Sequence, residues 1–439
     1  MIAPARLAAF EILRTVGAGR ADLGSALARG RTRLQDERDR ALAGEIATGT
    51  LRWQGAFDHV IAAFTNRPLK KLDPEVVDIL RLTMFQILHL DRVPASAAVK
   101  DAVDLAGKAG KRSASGLVNA MLRRVTRERD TLPLPARPAD PADRSAALAY
   151  LSITLSHPAW LVSRWLDRYG FAHAEAWARF NNAPAPLTLR ANTLRITRDA
   201  LAARLATFGI DCDQASHAAD ALLVRKGNPL ATGLHDQGLF IIQDEASQLV
   251  GTYAGATPGE RVLDACASPG GKTIAMAAAM DLRGTIVACD LRDRRVNLLR
   301  QAVVRTGAAN VFIVQADALA PLPVHPVFDR VLLDAPCSGL GTLRRDPDIK
   351  WRRQESDFEA LTQAQSAMLD HSSAVVVPGG ALVYATCSSE PEENDEVVGR
   401  FLVRHRDFRL VGEPLRTLPF RDQLEAFFAA MLVKNKDLR

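Results

Sequence analysis

Two cysteines, each in a turn after an apolar run, are the residues of this chain best suited to covalent chemistry. Cys337 stands in Asp334-Ala-Pro-Cys-Ser-Gly-Leu-Gly341, after the run Val331 to Leu333. Cys387 stands in Tyr384-Ala-Thr-Cys-Ser388, after the run Ala381 to Tyr384. An apolar run bounded by Pro and Gly reads as a buried strand of a parallel sheet. Open α/β sheets take their ligands just beyond the carboxyl ends of such strands. Both thiols and Asp334 are therefore expected at the mouth of one site. A single cysteine there would more simply be core, since free Cys is among the most buried residue types. Two, each after a strand and each in a Pro/Ser/Gly turn, favour function.

The elements that must position these groups alternate between strand and helix. Arg261-Val-Leu-Asp264-Ala-Cys266 reads as a short strand, and Ala267-Ser268-Pro269-Gly270-Gly271-Lys272-Thr273 as a Gly-rich turn opening a helix from Ile274 to Met280. Glycine permits close backbone approach, and a helix N-terminus offers unpaired N–H groups to a ligand. A strand from Thr285 to Cys289 then leads to Asp290, about 20 positions after the turn, where an acid commonly binds ribose hydroxyls. A helix through Arg294 to Arg305, a strand Val311 to Val314 with Asp317 beyond it, and strands Phe328 to Asp334 and Ala381 to Cys387 follow. The alternation predicts a doubly wound, Rossmann-like α/β sheet.

Gly271-Lys-Thr273 invites a phosphate-loop reading, but that motif needs a glycine where Cys266 stands. An adenosyl-group binder fits better, with S-adenosylmethionine and a dinucleotide both open on the loop alone. The cysteines tip the balance, because hydride transfer needs neither. Cytosine C5 is a poor nucleophile toward a methyl sulfonium. A thiolate added at C6 makes C5 carbanion-like. The thiol's free pKa of about 8.5 must fall through nearby positive charge. A donor near N3 must offset charge building on the ring. One strand-end Asp and two strand-end thiols match those needs.

The rest of the chain points toward RNA without proving it. The 439 residues suggest about three domains. A 48% hydrophobic composition leaves ample core, and a net charge of +6 suits a nucleic-acid partner. Five cysteines, none close in sequence, exclude a CxxC zinc site and make a disulfide framework improbable. Free thiols suit a reducing cytoplasm. Arg6, Glu11 and Arg14 interrupt any signal-peptide core, and no apolar run reaches the length of a membrane span. The expected protein is a cytoplasmic monomer with no membrane partner and no metal.

Residues 1–131 carry helical periodicity, clearest in Val76, Leu80, Met84 and Ile87 after Pro74. Lys111, Arg112, Arg123, Arg124 and Arg127 could meet phosphates, although charge runs are more often solvated faces. Four prolines between Leu132 and Pro141 mark a linker over 132–150. Residues 151–240 read as a small α/β module with strands Leu187 to Ala191 and Ala221 to Val224 around a helix Arg198 to Thr207. Its Arg190, Arg195, Arg225 and Lys226 could face phosphates. Trp160 and Trp165 read as core. The sheet described above fills 241–439.

Arg81-Leu-Thr-Met-Phe-Gln86-Ile-Leu with Ala98-Val-Lys-Asp-Ala-Val103 and Leu117-Val-Asn119-Ala-Met-Leu-Arg123 resembles the NusB-like helical domain, an RNA-binding fold. Asp264-Ala-Cys-Ala-Ser-Pro-Gly-Gly-Lys-Thr273, the Asp334 turn with Arg344-Arg-Asp-Pro-Asp-Ile-Lys350-Trp351, and Tyr384-Ala-Thr-Cys-Ser-Ser-Glu-Pro-Glu-Glu-Asn394 resemble the Sun/Fmu (NOL1/NOP2/Sun) RNA cytosine-C5 methyltransferases, in particular the bacterial small-subunit rRNA member. The resemblance covers nearly the whole chain. It implies a class I methyltransferase domain acting on 16S rRNA with S-adenosylmethionine. It implies Cys387 as nucleophile on C6, Cys337 as an aid to product release, and Asp334 at cytosine N3. Cys266, Ala267, Ser268, Pro269, Gly270, Gly271 and Lys272 would cradle the donor's methionine part, with Asp290 at its ribose and Asp317 at its adenine. Lys272 would also neutralise nearby carboxylates. Ser268 replaces the usual Ala, and Glu425-Ala-Phe-Phe428 replaces Asp-Gly-Phe-Phe. The basic residues Arg344, Arg345, Lys350, Arg352 and Arg353 are expected to clamp RNA backbone, and the target base must be unstacked. The alternative is a non-catalytic RNA-binding assembly factor, which would have no use for two thiols beside Asp334.

Overall fold

The computed structural model describes residues 2–436. The chain forms two compact units, Met1–Pro184 with Leu343–Arg353, and Ala185–Thr342 with Gln354–Arg439.

The first unit is helical: α1 (Pro4–Gly17), α2 (Leu23–Arg31), α3 (Glu37–Arg52), α4 (Gln54–Thr65), α5 (Pro74–His89), α6 (Ala95–Lys108), α7 (Ser115–Arg127) and, further on, α8 (Ala159–Asn182). The expected stripe Val76, Leu80, Met84 and Ile87 is buried on α5, whose first residue is Pro74. The proline-rich stretch beyond α7 forms no helix or strand but lays Leu132 and Leu134 on the same core. Trp165 is fully buried and stacks on Trp177 at 4.7 Å. Much of the basic stretch near α7 is already paired, Lys111 with Asp73 at 2.8 Å and Arg124 and Arg127 with Glu128 at 3.0 Å each.

Residues 343–353 correct the expected RNA clamp. Lys350 is buried, and its Nζ donates to Asn182 Oδ1 at 2.9 Å and to the carbonyls of Ser156 (3.2 Å) and Arg52 (3.3 Å). Burial, then the Arg52 charge, pushes the Lys350 ammonium well below its ordinary range. Trp351 Nε1 donates to the Leu51 carbonyl at 2.6 Å. Arg344 lies over the Phe180 ring and donates to the Pro184 carbonyl at 2.6 Å. Arg352 pairs with Asp348, which also accepts from the Leu23 amide. Lys350 and Trp351 thus brace the first unit, and the buried Lys350 is withdrawn from the expected set, whereas Arg352 stays exposed. Basic composition could not distinguish the two fates, because a buried lysine that finds three carbonyl-type acceptors reads in sequence like an exposed one.

The second unit opens with a small antiparallel sheet, β1 (Leu187–Ala191), β2 (Asp211–Gln214), β3 (Ala221–Lys226) and β4 (Phe240–Ile242), in the order β2-β3-β1-β4, with α9 (Arg198–Ala206) packed against it. The expected strands and helix are present, and β2 and β4 extend them. The large sheet comprises β5 (Arg261–Asp264), β6 (Thr285–Asp290), β7 (Val311–Gln315), β8 (Phe328–Asp334), β9 (Val376–Thr386), β10 (Phe408–Leu410), β11 (Leu415–Arg416) and β12 (Phe428–Lys434). Its order is β10-β12-β9-β8-β5-β6-β7, with β11 beside β12. β9-β8-β5-β6-β7 pair in parallel, whereas β12 runs antiparallel to β9, so the sheet is mixed and not wholly parallel.

Residues alternate between the two faces of each strand. Val262, Ile286, Leu332 and Val383 pack on one side, in the core that α10 (Glu245–Tyr253), α11 (Gly271–Ala279) and α12 (Asp293–Thr306) cover. Leu263, Val331, Leu333 and Tyr384 pack on the other, with α13 (Asp357–Ala374) and α14 (Asp395–Arg404). Helices on both faces make the sheet doubly wound. The strand order reverses between β5 and β8, and crevices at such switch points are where these sheets bind ligands. No helix among the described residues is long and apolar enough to cross a membrane.

One backbone contact fixes the second cysteine turn. The Gly341 amide donates to the Cys387 carbonyl, and the Gly341 carbonyl accepts from the Ala426 amide, both at 3.0 Å. A Cβ on Gly341 would lie 1.9 Å from the Ala426 carbonyl oxygen, a backbone atom that cannot step aside cheaply. Gly341→Ala is therefore expected to destabilise the protein by about 2–3 kcal/mol through overpacking. Thermal unfolding of the full chain checks this, and an unchanged midpoint would contradict it.

Candidate active site

The parallel register of β8 and β9 aligns Leu333 with Tyr384 and Asp334 with Ala385. The chain then turns at each strand end. Cys337 Sγ and Cys387 Sγ, 50 residues apart in sequence, end 3.2 Å from each other. The two thiols expected at one site do meet. Tyr384 anchors the second turn from below, donating its hydroxyl to the Glu393 carbonyl at 2.6 Å. Thr386 donates to Asn394 Oδ1 at 2.6 Å, and Asn394 donates back to the Ser388 carbonyl at 2.9 Å.

Lys272 and Asp334 also meet. Lys272, the second residue of α11, donates to Asp334 Oδ2 at 2.5 Å and lies 5.6 Å from the centroid of the Phe427 ring. Burial alone would lower the Lys272 pKa. The Asp334 charge and hydrogen bond, then charge on Cys387 and Asp264, outweigh it and hold the ammonium above its ordinary range.

Asp264 closes the group at the end of β5. It accepts from Thr273 Oγ1 at 2.7 Å through Oδ2, while its buried Oδ1 has no hydrogen-bond partner among the described residues. Burial pushes its carboxyl up to about 7, with the Asp334 charge adding and the Thr273 hydrogen bond and Lys272 opposing.

The Gly-rich turn lies between these groups and β6. Gly270 caps α11 at φ 104°, a left-handed conformation, and a Cβ there would come within 2.9 Å of the Leu299 side chain. Only glycine combines that conformation with that closeness. Cys266 is a half-buried thiol whose pKa desolvation raises, with Asp264, Asp334 and Asp290 adding. A cavity of about 210 Å³ is lined by Cys266, Ala267, Ser268, Pro269, Gly271 and Lys272, together with Asp264 and Asp334.

Asp290 and Asp317 do not line it. They stand at the ends of the next two strands along the sheet. Asp290 Oδ2 accepts from the Ser268 amide at 3.1 Å and pairs with Arg295, so this acid also shapes the turn. Asp317 caps its own loop, accepting from the Leu319 amide at 2.9 Å. Among the described residues no group of three or more His, Cys, Asp or Glu is arranged to hold a metal ion.

Several contributors escape sequence reasoning. Arg190 on β1 is buried, donating to Gln243 Oε1 at 2.7 Å and to the Gly271 carbonyl at 2.5 Å, so it braces the turn from behind. It was expected on a phosphate-facing surface with Arg195 and Arg225. Arg195 donates to the Thr306 and Gln237 carbonyls, and Arg225 pairs with Asp213. Arg195 and Lys226 are exposed, and among the described residues neither has a recorded ion pair. Glu393, buried between the cysteine turns, carried no signal separating it from Glu390 and Glu392 beyond the serine that follows each cysteine. Asp264 announced itself only as the acid ending a strand.

Comparison with known proteins follows the same lines. The profile of the family described as 16S rRNA methyltransferase RsmB/F matches residues 254–433. The NusB family profile matches residues 3–127, and an RsmF/B-like ferredoxin-like domain matches residues 157–231. The chain is 37% identical over 442 residues to the ribosomal RNA small subunit methyltransferase B of Pseudomonas putida, covering 98% of each. It is 36% identical over 374 residues to the probable ribosomal RNA small subunit methyltransferase B of Bacillus subtilis, covering 85% of this chain and 82% of that one. The solved structure of PH0851 matches with a TM-score of 0.82 and 26% identity over 99% of each chain. Similarity of this extent, on a sheet with this switch-point site, shows that the chain belongs to the RsmB/F family of 16S rRNA methyltransferases.

Proposed function

We propose that this protein methylates C5 of a cytosine in 16S rRNA, taking the methyl group from S-adenosylmethionine and passing through a covalent bond between Cys387 and cytosine C6. The observation that carries the reading is the 3.2 Å approach of two sulfurs beside the Lys272–Asp334 ion pair. The site's residues also fit a cationic donor. Asp264 Oδ1 is an orphaned acceptor beside the cavity, and Ala267, Ser268, Pro269 and Gly271 of the turn line it. When bound, that donor supplies an electrophilic methyl on a sulfonium.

The chain's own groups divide the remaining work. Lys272 sets positive charge beside the sulfur that must become anionic. The Cys387 thiolate adds to C6, and the displaced π electrons make C5 nucleophilic. Asp334 shares a proton with N3 as charge builds on the ring. Once C5 has been methylated, its proton leaves to solvent. The electron pair left behind restores the C5–C6 double bond and expels the Cys387 sulfur. Cys337, 3.2 Å away, meets that departing sulfur with its own S–H. Burial together with the Cys387 hydrogen bond favours the protonated form of Cys337. The five cysteines are all free, as work in a reducing cytoplasm requires.

Incubating 16S rRNA with methyl-labelled donor and mapping the label tests the reaction; label on another base counts against it. Cys387→Ala is expected to abolish turnover. Cys337→Ala is expected to accumulate a protein–RNA adduct that survives denaturing electrophoresis. Normal turnover by both variants would end the covalent scheme.

Donor binding also has an expected pH profile. Asp264 titrates near 7, and its ionised form is the one that attracts a cation. Affinity should be level at alkaline pH and weaken as pH falls through about 7, by up to about tenfold per unit. Titrating S-adenosylmethionine between pH 5.5 and 8.5 measures this. Asp264→Asn should bind at every pH about as weakly as the wild type does at low pH, and lose the slope. A wild-type profile without slope would remove Asp264 from donor binding.

A further inference from the structure

Glu393 touches neither sulfur among its hydrogen bonds, yet it joins the two turns that carry them. Its carboxylate is fully buried. Oε1 accepts from the Ser338 amide at 2.7 Å and from Gln365 Nε2 at 3.0 Å. Oε2 accepts from Ser338 Oγ at 2.6 Å and from Ser388 Oγ at 2.5 Å. Ser338 and Ser388 are the residues immediately after Cys337 and Cys387, and their hydroxyls lie 3.2 Å apart. One carboxylate therefore bonds to the residue following each cysteine. Gln365 on α13 also donates to the Pro336 carbonyl, tying the same charge to the residue before Cys337.

We propose that Glu393 is a positioning residue for the sulfur pair, tying the two cysteine turns together and holding Cys337 as the protonated partner of Cys387. The inference rests on the covalent reading above for its catalytic consequence, but not for its geometry. A buried carboxylate accepting four hydrogen bonds is a stiff centre, because each donor left unpaired would cost free energy of its own. Its charge also acts on the nearer sulfur. The hydrogen bond that Cys337 donates to Cys387, burial, and the charges of Cys387 and Glu393 together hold the Cys337 thiol well above its ordinary range. Tyr384, on β9, is the other titratable group coupled to Cys337, and it is itself pushed upward by burial first and then by Cys337 and Glu393.

Two variants separate the parts. Glu393→Gln keeps size and polarity but removes the charge. Glu393→Ala removes the tie. Alkylation of Cys337 by iodoacetamide, resolved from Cys387 by peptide mass spectrometry and followed from neutral pH to the alkaline limit of the fold so that the midpoint is reached, needs neither RNA nor donor. Glu393→Gln should move the Cys337 midpoint down by roughly one pH unit. A merely loosened turn would raise the rate at every pH and leave the midpoint alone, and that result would overturn the proposal. With rRNA and S-adenosylmethionine present, Glu393→Ala should hold about ten times more enzyme as RNA adduct than the wild type, as a misplaced Cys337 predicts. Wild-type turnover without added adduct in that variant would also overturn it. Should Glu393→Ala fail to fold, the glutamine variant still decides. Should no protein form an adduct, the covalent reading falls while the alkylation profile still tests Glu393.

Discussion

Everything at this site depends on two parallel strands ending in step. β8 and β9 pair so that Asp334 stands opposite Ala385, and each chain leaves the sheet within three residues of that pair. A one-residue slip would turn every side chain of one strand to the opposite face. Val331, Leu333, Leu382 and Tyr384 would then leave the core they share with α13 and α14. Hydrophobic burial on both faces thus fixes a register whose chemical result is sulfur against sulfur. Gly341 and Ala426 extend the same restraint, since their backbone bonds tie the first turn to the second turn and to the chain entering β12.

Charge in the crevice is deliberately unequal. Asp264 and Asp334 flank one cation, Lys272, in a poorly hydrated corner. Isolated buried charges cost several kcal/mol each, so two carboxylates cannot both stay ionised there with a single partner at no penalty. The hydrogen bond settles which one holds Lys272. Asp334 takes the Lys272 proton donor at 2.5 Å, while burial and its acidic neighbour lift Asp264 to about 7. A ligand bringing one more positive charge would let both carboxylates ionise. The corner is thus better matched to a cationic sulfonium donor than to a neutral or anionic cofactor.

Much of this was legible in the sequence, for physical reasons. Apolar runs of four to seven residues ending in Gly, Pro or Asp located β5, β6, β7 and β8, because strands buried on both faces need continuous apolar side chains. Cysteines in turns after such runs implied a shared site. What stayed hidden depends on long-range pairing. Nothing local distinguishes Arg190, buried against Gln243 and Gly271, from an arginine in water. Lys350 looked like a phosphate contact and is a buried donor to Arg52, Ser156 and Asn182. The antiparallel β12 was invisible as a direction, since strand polarity is a property of the partner and not of the run. The substituted Glu425-Ala-Phe-Phe428 stretch still places Phe427 by Lys272 and pairs Phe428 with Thr386, so Ala426 serves where glycine is usual.

The two sulfurs are chemically identical and stand in opposite surroundings. Cys387 lies within the influence of the Lys272 ammonium, and Cys337 within that of the Glu393 carboxylate. A negative sulfur is favoured beside a cation and opposed beside an anion. When one proton is shared between two sulfurs 3.2 Å apart, a modest difference in field decides where it rests. Here the hydrogen bond between the sulfurs, burial and the Glu393 charge favour the proton on Cys337. Exchanging the roles of the two cysteines would require the thiolate to form next to Glu393 and the thiol to face Lys272. The sequence presents the two residues in nearly matching turns, Pro-Cys-Ser and Thr-Cys-Ser, because the charged groups that differ around them come from elsewhere in the chain.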